Sequence, residues 1–333
     1  MSKGGIMILV LGGAGYIGSH MVDRLVKQGK SVVVVDSLAT GFRPSIPPQV
    51  PFEQGDLRDA AFLNRVFETY AIQAVYHFAA SSLVGESVSH PLKYYDNNVV
   101  GTLRLLECMH HHQVNHIVFS STAAVYGEPE TVPITESQRK APTNTYGQTK
   151  LAVEDMLKWA GLAHGIKSVC LRYFNVAGAA ISGQIGEAHN PETHLIPNVI
   201  KAAQGLKALT VFGNDYPTPD GTCIRDYIHV VDLVAAHEKA MQYLEQGGKS
   251  TVFNLGNGGG FSVKQIIDAT EAVVGRAIPY EIKARRAGDP AVLVADATKA
   301  REVLGWVPQY TDVNAIIETA WRWHQSHPHG YEV

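Results

Sequence analysis

The stretch LGGAGYIGSH, Leu11 to His20, constrains the chain more than any other. An apolar run, IMILVLG, ends at these glycines, and a segment of helical period, IGSHMVDRLVKQG, starts within them. Gly12, Gly15 and Gly18 stand in a GxxGxxG arrangement, and Gly13, Gly15 and Gly18 read as GxGxxG. At a strand-to-helix corner such glycines permit a tight turn, let the backbone approach a pyrophosphate and seat the helix close on the strand. The helix N-terminus then supplies N–H donors and a positive dipole end. Glycine-rich strings are common; this one is informative because of where it stands.

Beyond it, short apolar runs alternate with longer helical segments: SVVVVD, then AVYHFAA before PLKYYDNNVVGTLRLLECMHHH, then HIVFSST before NTYGQTKLAVE. Runs nearly continuous in Val, Ile and Phe fit strands covered on both faces of a parallel sheet. The expected class is α/β, a doubly wound parallel sheet of Rossmann type. After SVCLRYFNVAG the texture changes, with many Gly, Pro, Asn and His residues between Ala179 and Asp220. The expected division is a dinucleotide domain over 1–175 and a smaller C-terminal α/β substrate lobe over 176–333. Its boundary near Asn175 is blurred, with some segments returning to the first domain.

The formal net charge is −3, so no overall field attracts nucleic acid or an anionic membrane. Three separated cysteines, Cys108, Cys170 and Cys223, form no CxxC and fit a reducing compartment. The opening apolar run is too short for a signal-peptide core and nothing approaches a membrane span, so the cytoplasm is expected. Neither GNGGG, Gly256 to Gly260, nor HHHQVNH, His110 to His116, is read as a site. The first lacks a phosphate-loop Lys-Ser/Thr pair, and the second lacks further clustered ligands, so no metal is expected.

Asp36 ends the second strand, where a carboxylate bonds adenosine ribose hydroxyls and repels a 2′-phosphate, which favours NAD over NADP. Asp56, in EQGDLRD, is a candidate partner for the adenine amino group. Tyr146 and Lys150 lie four apart where the chain enters a helix, about one turn from each other on one face. Hydride chemistry on an alcohol also requires removal of the hydroxyl proton, and a tyrosine whose pKa a nearby positive charge depresses suits that role. A third hydroxyl is expected at the end of HIVFSST, from Ser120, Ser121 or Thr122, with Thr122 nearest the strand's carboxyl edge.

GGAGYIGSH, YYDNNVVGTLRLL, FSSTAAVYG, TYGQTK, LRYFN, FGNDYPTPDGTCIRDYIHV and RRAGDPA together resemble the UDP-glucose 4-epimerase family of the extended short-chain dehydrogenase/reductases, from about Ile6 onward. The glycine and Tyr-x-x-x-Lys motifs are shared across that superfamily, whereas the later strings are more specific. The resemblance implies a retained NAD and a UDP-hexose oxidised at C4, turned over as the 4-keto sugar and reduced on its other face. It implies catalysis by Tyr146, Lys150 and Thr122. Cofactor contacts are implied from Gly12, Gly15, Tyr16, Ile17, Gly18, Asp36, Asp56, Leu57, Phe78, Ala79, Asn97 and Tyr173. Substrate contacts are implied from Asn175, His194, Leu195, Phe212, Arg225, Arg286, Asp289 and Leu293, besides Thr122 and Tyr146. A homodimer is also implied.

The chain departs from the family pattern at three positions. Ser82 replaces a lysine of some members, His194 stands where asparagine is common, and Leu293 takes a position where tyrosine accompanies exclusion of 2-acetamido sugars. Leucine there suggests activity on UDP-GlcNAc and UDP-GalNAc. A 4,6-dehydratase needs carboxylates directly after the hydroxyl residue, and here those positions are Ala123 and Ala124. Decarboxylation loses support similarly, since related decarboxylases carry a Glu in that stretch. A non-catalytic NAD sensor usually loses the tyrosine or the lysine, and both are present.

Overall fold

Valine-rich runs become strands buried on both faces in the computed structural model, which describes residues 6–286 and 289–332. The first half alternates β1 (Met7–Leu11), α1 (Tyr16–Lys27), β2 (Val32–Asp36), β3 (Phe52–Gln54), α2 (Ala60–Thr69) and β4 (Ile72–His77). It continues with α3 (Val84–Ser89), α4 (Pro91–Tyr94), α5 (Gly101–His111), β5 (His116–Ser120), α6 (Thr145–His164) and β6 (Lys167–Tyr173). The second half holds β7 (Asn175–Ala177), α7 (Leu195–Ala203), β8 (Leu209–Phe212), β9 (Ile224–Arg225), β10 (Tyr227–His229) and α8 (Val230–Glu245). Then come β11 (Thr251–Leu255), β12 (Phe261–Ser262), α9 (Val263–Val274), β13 (Tyr280–Lys283), β14 (Val292–Leu293), α10 (Thr298–Leu304) and α11 (Val313–Ser326).

Seven strands form one parallel sheet in the order β11-β6-β5-β4-β1-β2-β3. Strand order reverses between β1 and β4, and at such a switch point the carboxyl ends of the strands open a crevice. Val34 and Leu25 belong to the apolar layer on one face, shared with Leu233, Val234 and Met241 of α8 and with Trp306. The opposite face is covered by Phe62 and Leu63 of α2, Leu105 and Met109 of α5, and Val153 and Leu157 of α6. A separate core of Ile196, Val199, Ile200, Ile266, Ile267, Ile316 and Ile317 joins α7, α9 and α11.

One feature differs from the sequence expectation. The segment expected as one helix from Pro91 is interrupted: Tyr95–Val100 makes a π-helical turn between α4 and α5. Local periodicity does not encode such a bulge, which packing imposes. The strand TVFNL is β11, which pairs in parallel with β6 at the edge of the large sheet. Among the described residues no helix is long and apolar enough to cross a membrane.

Candidate active site

The glycine corner is built by steric necessity. Gly12 has φ +71°, and a Cβ there would lie 2.5 Å from the Ala79 backbone nitrogen, so the turn after β1 presses against the end of β4. Phe78, beside it, packs on the His237 ring at 4.8 Å. The helix α1 begins at Gly15 with no side-chain cap, which leaves its first N–H groups without a side-chain acceptor at the corner. Ile17 turns into the sheet core and Gly18 is buried. Tyr16 donates from its hydroxyl to the Gly178 carbonyl at 2.6 Å, tying the corner to the chain after β7.

Asp36 stands at the carboxyl end of β2, 8% exposed, and accepts from Ala14 N at 2.9 Å and Leu38 N at 2.8 Å. Burial raises its pKa while those two bonds act against the rise. The buried carboxylate thus braces the glycine corner. An uncapped helix start, a close glycine turn and an acid at the end of β2 fit a dinucleotide such as NAD. Asp56 is engaged by Arg58, whose guanidinium lies 2.6 Å away, and Arg58 also pairs with Asp96. Leu57 packs at the edge of the core layer beneath.

The opening of α6 brings the catalytic candidates together. Asn144 caps the helix by accepting from Gly147 N at 2.8 Å. A Cβ on Gly147 would lie 2.6 Å from the Ala124 carbonyl oxygen, so its absence lets the helix start settle against the turn that follows β5. Thr122 accepts from Ala124 N at 3.1 Å at the start of that turn, and its hydroxyl acts to lower the Tyr146 pKa. Of the three hydroxyls left open by sequence, Thr122 is the one that acts on the Tyr146 phenol, the other two being engaged elsewhere. Ser120 bonds to the Tyr173 hydroxyl, and Ser121 donates to Glu154 at 2.6 Å.

The expected depression of the Tyr146 pKa is not found. Burial pushes the phenol up to about 12, and the nearby Thr122 hydroxyl only partly offsets this. Lys150 moves the other way: buried, it falls to about 7, although Glu154 acts to raise it. Its Nζ donates to the Ser120 carbonyl at 2.8 Å and lies 5.9 Å from the Tyr146 ring centroid. In the chain by itself, desolvation governs both groups.

Sequence reasoning missed what holds this helix in register. Buried Asn98, in the π-helical turn, donates to Ser81 O and to Thr149 Oγ1, each at 3.1 Å, and accepts from Ser81 N at 2.8 Å. Thr149 immediately precedes Lys150. Asn97 itself donates to Asn98 at 3.0 Å. A second buried network runs from Glu154 through Arg172 to Tyr126 and Asn254, with Arg172 donating to Tyr126 at 2.8 Å. Only the Asn97-Asn98 pair within the helical stretch offered a signal.

The substrate candidates gather on the second lobe. Asn175 is the register partner of Tyr227 across β7 and β10, and its N–H donates to the Asp226 carbonyl at 3.1 Å. Arg225 in β9 pairs with Asp289, and Leu293 of β14 lies in register with Arg225. The Arg286 guanidinium sits 4.1 Å over the Phe212 ring. His194 stands at the N-cap position of α7, just before Leu195, without a side-chain capping bond, and its ring bonds to Glu187. Leu293 also packs against the cluster formed by Ala123, Val125, Tyr126 and Ile134, because Ile134 N donates to Val294 O at 2.8 Å and draws that segment to the turn after Thr122.

Comparisons with known proteins agree with this geometry. Residues 8–256 match the model of the NAD dependent epimerase/dehydratase family. A UDP-glucose 4-epimerase of Streptococcus mutans is 56% identical over 328 residues, covering 98% of each chain. A solved UDP-glucose 4-epimerase superposes with a TM-score of 0.96 at 57% identity, covering 98% of this chain and 100% of that one. The UDP-glucose 4-epimerase of Bifidobacterium longum, solved in complex with NAD+ and UDP, gives 0.92 at 41% identity, with 98% and 100% covered. The chain belongs to the NAD dependent epimerase/dehydratase family, among its UDP-glucose 4-epimerases.

Proposed function

We propose that the chain interconverts UDP-glucose and UDP-galactose at C4 through a transient 4-keto sugar. The observation that carries the reading is Tyr146 and buried Lys150 one helical turn apart at the start of α6, with Thr122 on the adjoining turn after β5, beside a dinucleotide corner. NAD, when bound, supplies the redox chemistry at C4. Tyr146 removes the 4-hydroxyl proton and returns it when the alcohol re-forms, and Thr122 holds the sugar oxygen and the phenol in line. Lys150 supplies positive charge that eases ionisation of the phenol. Arg225 and Arg286 suit the diphosphate oxygens, with Asp289 toward the ribose and His194 with Leu195 at the start of α7. Gly12, Gly15, Tyr16, Ile17, Gly18, Asp36, Asp56, Leu57, Phe78, Ala79, Asn97 and Tyr173 are assigned to NAD.

Purified protein incubated with UDP-galactose and no added cofactor yields UDP-glucose by NMR, and Tyr146→Phe lowers turnover by about 10²–10⁴-fold, the usual worth of general acid-base catalysis. No conversion even with NAD supplied overturns the reading. Leu293, smaller than tyrosine and packed beside Ala123, supports a further activity on UDP-GlcNAc and UDP-GalNAc. A lack of any UDP-GlcNAc conversion at high protein concentration rejects that extension. We further assign the chain to the cytoplasm, as three buried free cysteines suit a reducing compartment, and to a homodimer through exposed apolar side chains of α4 to α6.

A further inference from the structure

We propose that Glu187, His189, Glu192 and His194 form a binding site for a divalent transition metal, best suited to zinc. One potential ligand atom from each residue lies within 4.8 Å of the others. The two glutamate side chains are nearly sealed from water, 4% and 3% exposed, and among the described residues no lysine or arginine pairs with either. Buried carboxylates require a compensating cation or a full set of hydrogen bonds. Glu192 has a His189 ring nitrogen at 3.5 Å but lacks a full set of hydrogen bonds. Its Oε1 accepts from Thr193 N and His194 N, both at 2.9 Å, which fixes the group and aims Oε2 at the cluster. That second oxygen is buried without a hydrogen-bond partner.

The spacing is what a small tetrahedral ion needs. Bonds of about 2.0–2.1 Å to nitrogen and oxygen give ligand-to-ligand edges of about 3.3 Å. His189 Nδ1 lies 3.3 Å from Glu187 Oε1 and 3.5 Å from Glu192 Oε2. His194 Nδ1 is in direct hydrogen-bond contact with Glu187 and must draw back by about 1 Å to reach such an edge. Its side chain is 54% exposed and has room to do so, and coordination through Nδ1 leaves Nε2 free for the substrate role proposed above. Two imidazoles and two carboxylates make a closed set without thiolates, which suits zinc in a structural role rather than calcium or magnesium. The ion would fasten three elements: the Glu187 carbonyl accepts from Trp323 of α11 at 3.3 Å, the His189 ring meets Tyr16 of α1 edge-on at 6.3 Å, and His194 opens α7.

The test uses the full-length protein stripped with a chelator, titrated with zinc chloride and assayed by calorimetry and by metal content after gel filtration. One zinc per chain is expected, with a raised melting temperature. His189→Ala and Glu192→Gln should each weaken binding by more than about 100-fold, the scale at which even groups outside the ligand set act. Absence of bound zinc overturns the site. So does binding that survives both substitutions, which would place the ion elsewhere, as on His110 and His164, whose rings lie 4.0 Å apart. Cobalt chloride added to the unsubstituted protein reads the geometry without any variant: a four-coordinate visible spectrum supports the site, and a six-coordinate one rejects it.

Discussion

Lys150 is 4% exposed with its ammonium on the Ser120 carbonyl, and burial holds its pKa at about 7 instead of 10.5. Unfolding returns the group to water and to its ordinary value. Between those two pH values the unfolded chain carries a proton that the folded chain has released, so folding gains stability as pH rises through the window. Urea unfolding of the cofactor-free protein from about pH 7 to about pH 10.5 should therefore shift in favour of the native chain relative to Lys150→Met. A difference independent of pH would mean that the ammonium is solvated. The sequence placed Tyr146 and Lys150 one turn apart correctly, because helical spacing is local. It did not foresee that both would be driven toward their neutral forms, because desolvation depends on what other segments lay over them.

The start of α6 and the turn after β5 form a unit held by a close backbone approach at Gly147. Alanine in a helix interior is ordinarily favoured over glycine by about 0.5–1 kcal/mol. Here its methyl would meet the Ala124 oxygen at 2.6 Å, so Gly147→Ala should lower the melting temperature instead of raising it. It should also move Tyr146 away from Thr122, with a loss of about 100-fold in kcat, the scale of an ångström misplacement. Retained kcat with unchanged melting would remove the steric account. Elements of this kind were partly legible. The glycine corner and the strands of the parallel sheet declare themselves through composition and period. The π-helical turn at Tyr95–Val100 does not, and neither does the pairing of Ile134 with the Val294 segment that seats Leu293 by Ala123, since both are decided by distant packing.

At the scale of the molecule, apolar side chains remain uncovered on one group of helices. Leu92 is 80% exposed, Trp159 65% and Leu162 71%, with Tyr95 and Leu103 also exposed. A second copy of the chain is the proposed cover. Sedimentation of the native protein should give a dimer, and Leu92→Glu combined with Leu103→Glu should give a folded monomer. A native monomer at assay concentration would end that proposal. The placement of β11 bears on something else, the history of the gene. A chain ending at 175 would leave β6 as a bare edge and strip the sheet of the α8 cover provided by Leu233, Val234 and Met241. Recombination at the apparent seam would thus damage the cofactor half as much as the substrate half. The two halves of the chain are inherited as one piece of structure, and the proposed effect of Leu293 on sugar choice would be a change within that piece.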